Sequence, residues 1–306
     1  MKLVDPRSRV RLANILWTTD FSSVSEAALQ YAVSIARRYD SQIYIAHVIR
    51  PDSYQLVPPE VLGSALTHTR CYAEQQIGQL LVSGRLRGIP HQVLLTEGDL
   101  WTTLSMLILE HEIDLVVAGT HGRTGIRKLL LGSAAEEVFR RAPVPVLTVG
   151  PLTRREVPAE AELRHILYAT DFTPTAEHAG AYALSLAQEH QAHLTVMHVV
   201  REEAPSSRPN VTRVREYFLQ RLKEIVPAEA ELWCAPEFHV GFGEPASCIL
   251  QAAEEKQADL IVLGVRRTAN FPGHLPPATA YQVVCQARCP VITVRGNLES
   301  GGLEST

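Results

Sequence analysis

Short apolar runs alternate along the chain with longer stretches whose apolar residues recur at helical spacing. In the first half, Ile15–Thr19 reads as a strand, and Ser25–Tyr39 as a helix carrying Ala28, Tyr31, Ala32, Ile35 and Ala36 on one face. Gln42–Val48 follows as a strand, and Pro59–Arg87 is mostly a long amphipathic helix. The pattern continues with strand Gln92–Thr96, helix Leu100–Glu110, strand Leu115–Ala118, helix Ser133–Arg140 and a last strand, Val144–Val149. Strands apolar on both sides, each followed by a helix, predict a parallel sheet covered on both faces. Right-handed crossovers then give a doubly wound sheet of five strands. Such sheets bind ligands outside the carboxyl ends of the strands, where the winding reverses.

The same pattern occurs twice. Ile15-Leu16-Trp17-Thr18-Thr19-Asp20-Phe21-Ser22 matches Ile166-Leu167-Tyr168-Ala169-Thr170-Asp171-Phe172-Thr173 at a spacing of 151 residues, which His47-Val48 and His198-Val199 keep. Asp114–Gly119 matches Asp259–Gly264, and Pro145–Val149 matches Pro290–Val294, both at 145. Four matched blocks in order mark a tandem duplication with six residues fewer inside the second copy. The expected domains are 10–150 and 161–297, with a Pro-containing, charge-alternating linker at 151–160 and a flexible polar tail at 298–306.

A length of 306 residues suits two domains. Hydrophobic residues make up 46% and charged residues 20%, the balance of a soluble globular protein. The net charge of −4 gives no basic footprint for nucleic acid. The pairs Arg37-Arg38, Arg154-Arg155 and Arg266-Arg267 read as solvated faces or helix ends. No apolar stretch has the length of a membrane span, and Met1–Trp17 lacks the apolar core of a signal peptide. Five scattered cysteines, Cys71, Cys234, Cys248, Cys285 and Cys289, suggest reduced thiols and a cytoplasmic location. Cys285 and Cys289 could share a helix face, but two further metal ligands are missing from their neighbourhood.

The candidate chemistry follows the fourth strand. Gly119-Thr120-His121-Gly122-Arg123-Thr124-Gly125 leads to Gly132-Ser133 at a helix start, giving Gly, two residues, Gly, nine residues, Gly-Ser. Gly119 and Gly122 would permit left-handed backbone and close approach to a ligand. Successive N–H groups in such a turn form an anion nest, and free N–H groups at a helix start favour phosphate. Thr120, Thr124 and Ser133 add hydroxyls, and Arg123, Arg127 and Lys128 add charge. The competing reading is a plain Gly-rich strand-to-helix turn with Ser133 as its cap. The pattern is neither a Walker A motif nor a GxGxxG fingerprint. Asp20 could cap the turn after the first strand or meet a ligand; a strand's carboxyl end in a nucleotide fold favours the ligand. His121 could act as an acid or base, but a residue that shapes the nest is the simpler reading. His47 and His198 read as packing residues at a strand end.

Asp20, His47-Val48 and Gly119-x2-Gly122-x9-Gly132-Ser133 together resemble the ATP-binding branch of the universal stress protein family. The resemblance implies two tandem doubly wound parallel five-stranded sheets of the adenine nucleotide alpha hydrolase-like, or universal stress protein, fold. It implies ATP in the first domain: Thr18 and Asp20 bordering the nucleoside, and the Val48 backbone holding adenine. Gly119, Thr120, His121, Gly122, Arg123 and Thr124 would wrap the phosphates, with Gly132, Ser133 and Ala134 closing the site. A Mg²⁺ riding on the phosphates would fit, with no dedicated carboxylate cage visible. Family members associate through their last strand, so the two copies are expected to pair along these apolar edges, and a homodimer of the whole chain is a further expectation.

The second copy departs from the pattern. Gly264 keeps its place, but Gly122 is answered by Arg267, Gly132 by Pro277 and Ser133 by Ala278. Proline lacks the N–H a helix-start site would use. One ATP per chain, in the first domain, is therefore expected. The leading reading is a nucleotide-responsive stress or regulatory module. The alternatives are an ATP-using enzyme with slow hydrolysis or nucleotidyl chemistry, and a scaffold indifferent to nucleotide. The sequence has no Ser-Gly-Gly-x-Asp loop, nucleophile elbow or HExxH motif, and the intact first loop argues against the scaffold.

Overall fold

A computed structural model of the chain describes residues 10–51, 58–120, 131–153, 163–201, 211–265 and 278–296. His121, Gly122, Arg123 and Thr124, their neighbours Gly125, Arg127 and Lys128, and Arg266, Arg267 and Pro277 of the second copy lie outside the described residues. So do residues 154–160 of the linker and the tail at 298–306. The chain forms two compact units, one built on the first repeat with Val284–Val291 added, the other on the second repeat with Val10 added.

The first unit runs β1 (Asn14–Thr18), α1 (Ser23–Tyr39), β2 (Gln42–Ile49), α2 (Pro59–Val82), β3 (His91–Glu97), α3 (Leu100–Glu110), β4 (Leu115–Gly119), α4 (Ser133–Arg141) and β5 (Val146–Val149). Its strands lie in the order β3-β2-β1-β4-β5, and all four pairings are parallel. The chain winds outward from β1 through β2 and β3, then returns to the other side for β4 and β5. The winding therefore reverses between β1 and β4. Ile15, Leu16 and Trp17 of β1 are almost wholly buried, as a central strand with helices on both faces requires. At its start, Asp114 Oδ2 accepts from the N–H groups of Ala13 and Asn14 at 2.8 and 3.0 Å, which ties the approach to β4 to that of β1.

The elements follow the sequence pattern to within a residue or two at most ends, but α2 is shorter than its pattern. It ends at Val82, and the Ser83 N–H donates to the carbonyls of Gln79 and Leu80. Gly84 and Gly88 then adopt left-handed backbone, with φ of 76° and 78°. Leu86, which continued the apolar spacing, is buried from this turn instead. Side chains fix the starts of α1 and α3: Ser22 accepts from Ser25 N–H, and Asp99 from Thr102 N–H. Arg37 and Arg38 fall in the last turn of α1, where cations suit the helix dipole.

The second unit repeats the plan with β6 (His165–Ala169), α5 (Pro174–His190), β7 (His193–Val200), α6 (Val211–Ile225), a short 3-10 turn (Ala228–Leu232), β8 (Glu237–Phe242), α7 (Pro245–Glu255), β9 (Leu260–Val265), α8 (Ala278–Gln286) and β10 (Val291–Arg295). The order is β10-β9-β6-β7-β8, and the pairs β6–β7, β6–β9 and β7–β8 are parallel. Asp259 Oδ2 accepts from Arg164 and His165 N–H at 2.9 and 3.0 Å, the counterpart of Asp114. Among the described residues no helix is long and apolar enough to cross a membrane. All five cysteines are free thiols, and burial pushes Cys234 up to about 12.

His165, His178, His198 and His239 belong to this unit, and desolvation holds each below the ordinary histidine pKa. His165 sits beside Thr195 Oγ1 at 2.8 Å; Glu237 and Asp259 favour its charged form, while His193 and Lys256 oppose it. A base with a lowered folded-state pKa takes up protons more readily when unfolded. Its contribution is complete above the unfolded value of about 6.5 and is lost as pH falls through the folded value. The urea midpoint of this unit should therefore fall from about pH 7.5 to about pH 5.5, and a midpoint that stays level would contradict the assignment.

Candidate functional site

The register brings the carboxyl ends of the central strands of the first unit level with one another. Thr18 pairs with Ala46 of β2 and with Ala118 of β4. Just beyond lie Thr19 and Asp20, His47 and Val48, and Gly119 and Thr120, gathered on the edge where the winding reverses. Doubly wound sheets receive ligands at this edge.

The turn after β1 is tightly specified. Thr19 N–H donates to the Ala46 carbonyl at 3.0 Å, and the Thr19 hydroxyl accepts from Phe21 N–H at 2.9 Å and lies 3.0 Å from Ser25 Oγ. Phe21 takes a φ of 62°, strained for an aromatic residue. His47 holds it there: its Nδ1 is 2.7 Å from the Thr19 carbonyl, and its ring lies 4.6 Å from that of Phe21. Asp20 Oδ1 accepts from Ser22 N–H at 3.0 Å, the turn-capping role open to it from the sequence. Thr18 Oγ1 reaches the Val117 carbonyl at 3.4 Å, and Val48 packs against the core that contains Leu16 and Leu104.

The second unit builds the same turn. Phe172 has a φ of 58°, its N–H donates to Thr170 Oγ1 at 3.0 Å, and His198 Nδ1 lies 2.8 Å from the Thr170 carbonyl. Asp171 Oδ1 accepts from Thr173 N–H and from its hydroxyl. Beneath the turn, Trp17 Nε1 donates to the Ser25 carbonyl at 2.9 Å in the first unit, and Tyr168 OH to the Ala176 carbonyl at 2.6 Å in the second. The threonine and phenylalanine of this turn stood in the matched block of the repeat, but spacing alone does not disclose a left-handed phenylalanine.

Gly119 has a different reason for being glycine than the sequence suggests. Its φ lies outside the left-handed region, and a Cβ there would meet Ser25 N at 2.9 Å and Val24 C at 3.0 Å. In the second unit a Cβ on Gly264 would meet Ala176 Cα at 2.7 Å. Both glycines admit the first turn of the following helix to the sheet. Retention of Gly264 in the degenerate copy follows from this packing.

Thr120 is fully buried, and its backbone closes the base of the loop: its N–H donates to the Val149 carbonyl at 2.9 Å, and its carbonyl accepts from Gly132 N–H at 2.8 Å. Gly132 is the cap residue of α4, extended at φ −62° and ψ 150°, and makes no side-chain cap. Ser133 is thus the first residue of the helix and not its cap, and Ala134 follows it in the first turn. The start of α4 is thereby hydrogen-bonded to the residue after β4.

Together, the fold and this edge define a tandem α/β protein of two doubly wound parallel sheets. The model described as "Universal stress protein family" matches residues 12–150 and 162–295, and the chain belongs to that family. A universal stress protein of Mycolicibacterium smegmatis is 26% identical over 292 residues, 92% of this chain and 96% of the relative. One from Methanocaldococcus jannaschii is 28% identical over 136 residues, 44% of this chain and 80% of the relative. The crystal structure of a universal stress protein from Archaeoglobus fulgidus shares the fold, with a TM-score of 0.65 and 20% identity over 92% of this chain and 98% of that one.

Gly119→Ala and Gly264→Ala should each destabilise their unit by about 1–3 kcal/mol, because the added carbon meets backbone that cannot rotate away. Chemical denaturation measures this, and wild-type stability in both variants would mean that the helices have room to retreat.

Proposed function

We propose that the first unit binds one ATP at its reversal point and that the chain serves as a nucleotide-responsive module of the stress or regulatory type. One observation carries the reading. The start of α4, capped by a glycine without a side-chain acceptor, is hydrogen-bonded to the end of β4, on the edge that also bears Thr18 and Asp20. The first N–H groups of a helix lack partners within it, and the dipole there favours an anion. A triphosphate supplies that anion, and its nucleoside would reach across the crevice to the turn after β1.

In this reading Thr18 and Asp20 border the nucleoside and the Val48 backbone meets adenine. Gly119, Thr120, His121, Gly122, Arg123 and Thr124 surround the phosphates, and Gly132, Ser133 and Ala134 close the site. Thr120 contributes by holding the two ends of the loop together. Among the described residues no group of three or more acidic, histidine or cysteine side chains could hold a metal ion. A Mg²⁺ arriving with the nucleotide would be carried by phosphate oxygens. Arg267, Pro277 and Ala278 give the second copy a different loop, which supports a single ATP per chain.

Calorimetric titration of nucleotide-free protein should give a stoichiometry near one. Gly122→Val should abolish binding, because the side chain stands where backbone would approach phosphate. Ser133→Ala should cost about 1.5–3 kcal/mol if its hydroxyl donates to a charged phosphate. Two equivalent sites, or full affinity in the Gly122→Val variant, would refute the reading.

A further inference from the structure

The outer edge of the first unit is an open strand. β3 is seven residues long, contains neither proline nor lysine and has no residue of positive φ. Exposed edges are usually blunted by such devices. Two bonds at its ends fix the direction of its backbone groups. The Pro90 carbonyl accepts from Ile43 N–H at 2.9 Å, and Gly98 N–H donates to the Ile49 carbonyl at 3.0 Å. Even-numbered residues therefore bond to β2, and His91, Val93, Leu95 and Glu97 turn their N–H and C=O groups outward. These outward groups have no partner among the described residues. Every residue of β3 is at least partly exposed, whereas each other strand of this unit has buried ones.

The duplication supplies a comparison. β8 is the corresponding edge of the second unit. Gly243 N–H donates to the Val200 carbonyl at 3.0 Å, so Phe238, Val240 and Phe242 are the residues that turn outward there. The Phe242 carbonyl accepts from the Cys248 thiol at 3.5 Å, and the Arg215 guanidinium lies 5.3 Å over the Phe242 ring. Gly241 sits within the strand, where it weakens pairing. β8 is thus shorter, interrupted and partly engaged, and β3 is none of these.

We infer that β3 is a pairing surface for a second copy of the chain, joined edge to edge and antiparallel about Leu94. This register satisfies every outward group. His91 falls opposite Glu97 of the second copy and Val93 opposite its Leu95, and each pair exchanges two backbone hydrogen bonds. The ends match in charge: Glu97, 3.6 Å from Arg70, meets an imidazole and not another carboxylate. Between them Gln92 falls opposite Thr96, in a pair of the kind whose side chains lie closest. Thr96 Oγ1 is enclosed and has no hydrogen-bond partner among the described residues, and the exposed Gln92 brings both a donor and an acceptor. Apolar surface adjoins the strand as well. Leu81 and Val82, 43% and 87% exposed, line with Pro90 and His91 a hollow of about 560 Å³ at its start.

The test is sedimentation of the full chain without nucleotide, which should show twice the chain mass. Val93→Pro removes an outward N–H that β2 does not use, a place where an edge strand tolerates proline. It takes one bond from each side of the dyad and should weaken the dimer at least about tenfold. Glu97→Lys, an exposed change that leaves the backbone alone, should weaken it too by setting a lysine against His91. Leu94 is the one position of the strand that meets itself in this register. In a Cys71→Ser background, Leu94→Cys treated with diamide should therefore form a disulfide between copies, and Gln92→Cys should not. A chain that stays monomeric well above micromolar concentration, a dimer indifferent to Val93→Pro or to Glu97→Lys, or equal cross-linking at both cysteine positions would each overturn the inference.

Discussion

Each unit depends on the approach of its first helix to its fourth strand. The first turns of α1 and α5 come so near β4 and β9 that a single methylene on Gly119 or Gly264 would press on main-chain atoms at 2.9 or 2.7 Å. Close packing of this kind leaves no slack for a side chain to move into. It also determines what lies beside what at the top of the sheet. The first turn of the first helix is drawn against the end of the fourth strand, on the edge where doubly wound sheets receive ligands.

Much of this was legible in the sequence. The alternation of strand and helix, the duplication and the reversal of winding all follow from apolar periodicity and matched blocks, because burial on both faces imposes a simple pattern. Helix ends were less legible where glycine turns continued an apolar spacing, as Leu86 did after α2 had stopped. Gly119 stands at the end of its strand, as the apolar pattern places it, but the reason it is glycine is not legible from spacing. A glycine admitting a neighbouring helix and one admitting a ligand look the same in a sequence. The repeat held the clue: Gly264 persists although Arg267 and Pro277 have replaced its loop partners. Nor does a sequence state that Ser133 begins its helix while Gly132 caps it, since both arrangements use the same two residues.

The two copies have kept their load-sharing contacts and changed their surfaces. Asp114 and Asp259 each gather two N–H groups of the strand beside them. The left-handed phenylalanine and its histidine recur in both turns, with nearly equal distances. Local strain of this order, about 1–3 kcal/mol for such a residue, persists only where the surroundings over-determine it. Its presence in both units marks the turn as a common inheritance, while the neighbouring helix and loop were free to diverge.

The hydrogen bond beneath that turn survives a change of donor, from an indole in the first unit to a phenol in the second. Trp17 is almost fully buried, whereas Trp101 and Trp233, the other two tryptophans of the chain, are partly exposed. An enclosed indole emits at shorter wavelength than a wetted one and is sensitive to the dipole of the group it bonds. The substitution of one aromatic ring for another has therefore placed an optical label beneath the first crevice and none beneath the second. Light absorbed at the red edge of the protein spectrum excites all three tryptophans, but the shorter-wavelength part of their emission comes from Trp17, and Tyr168 stays dark.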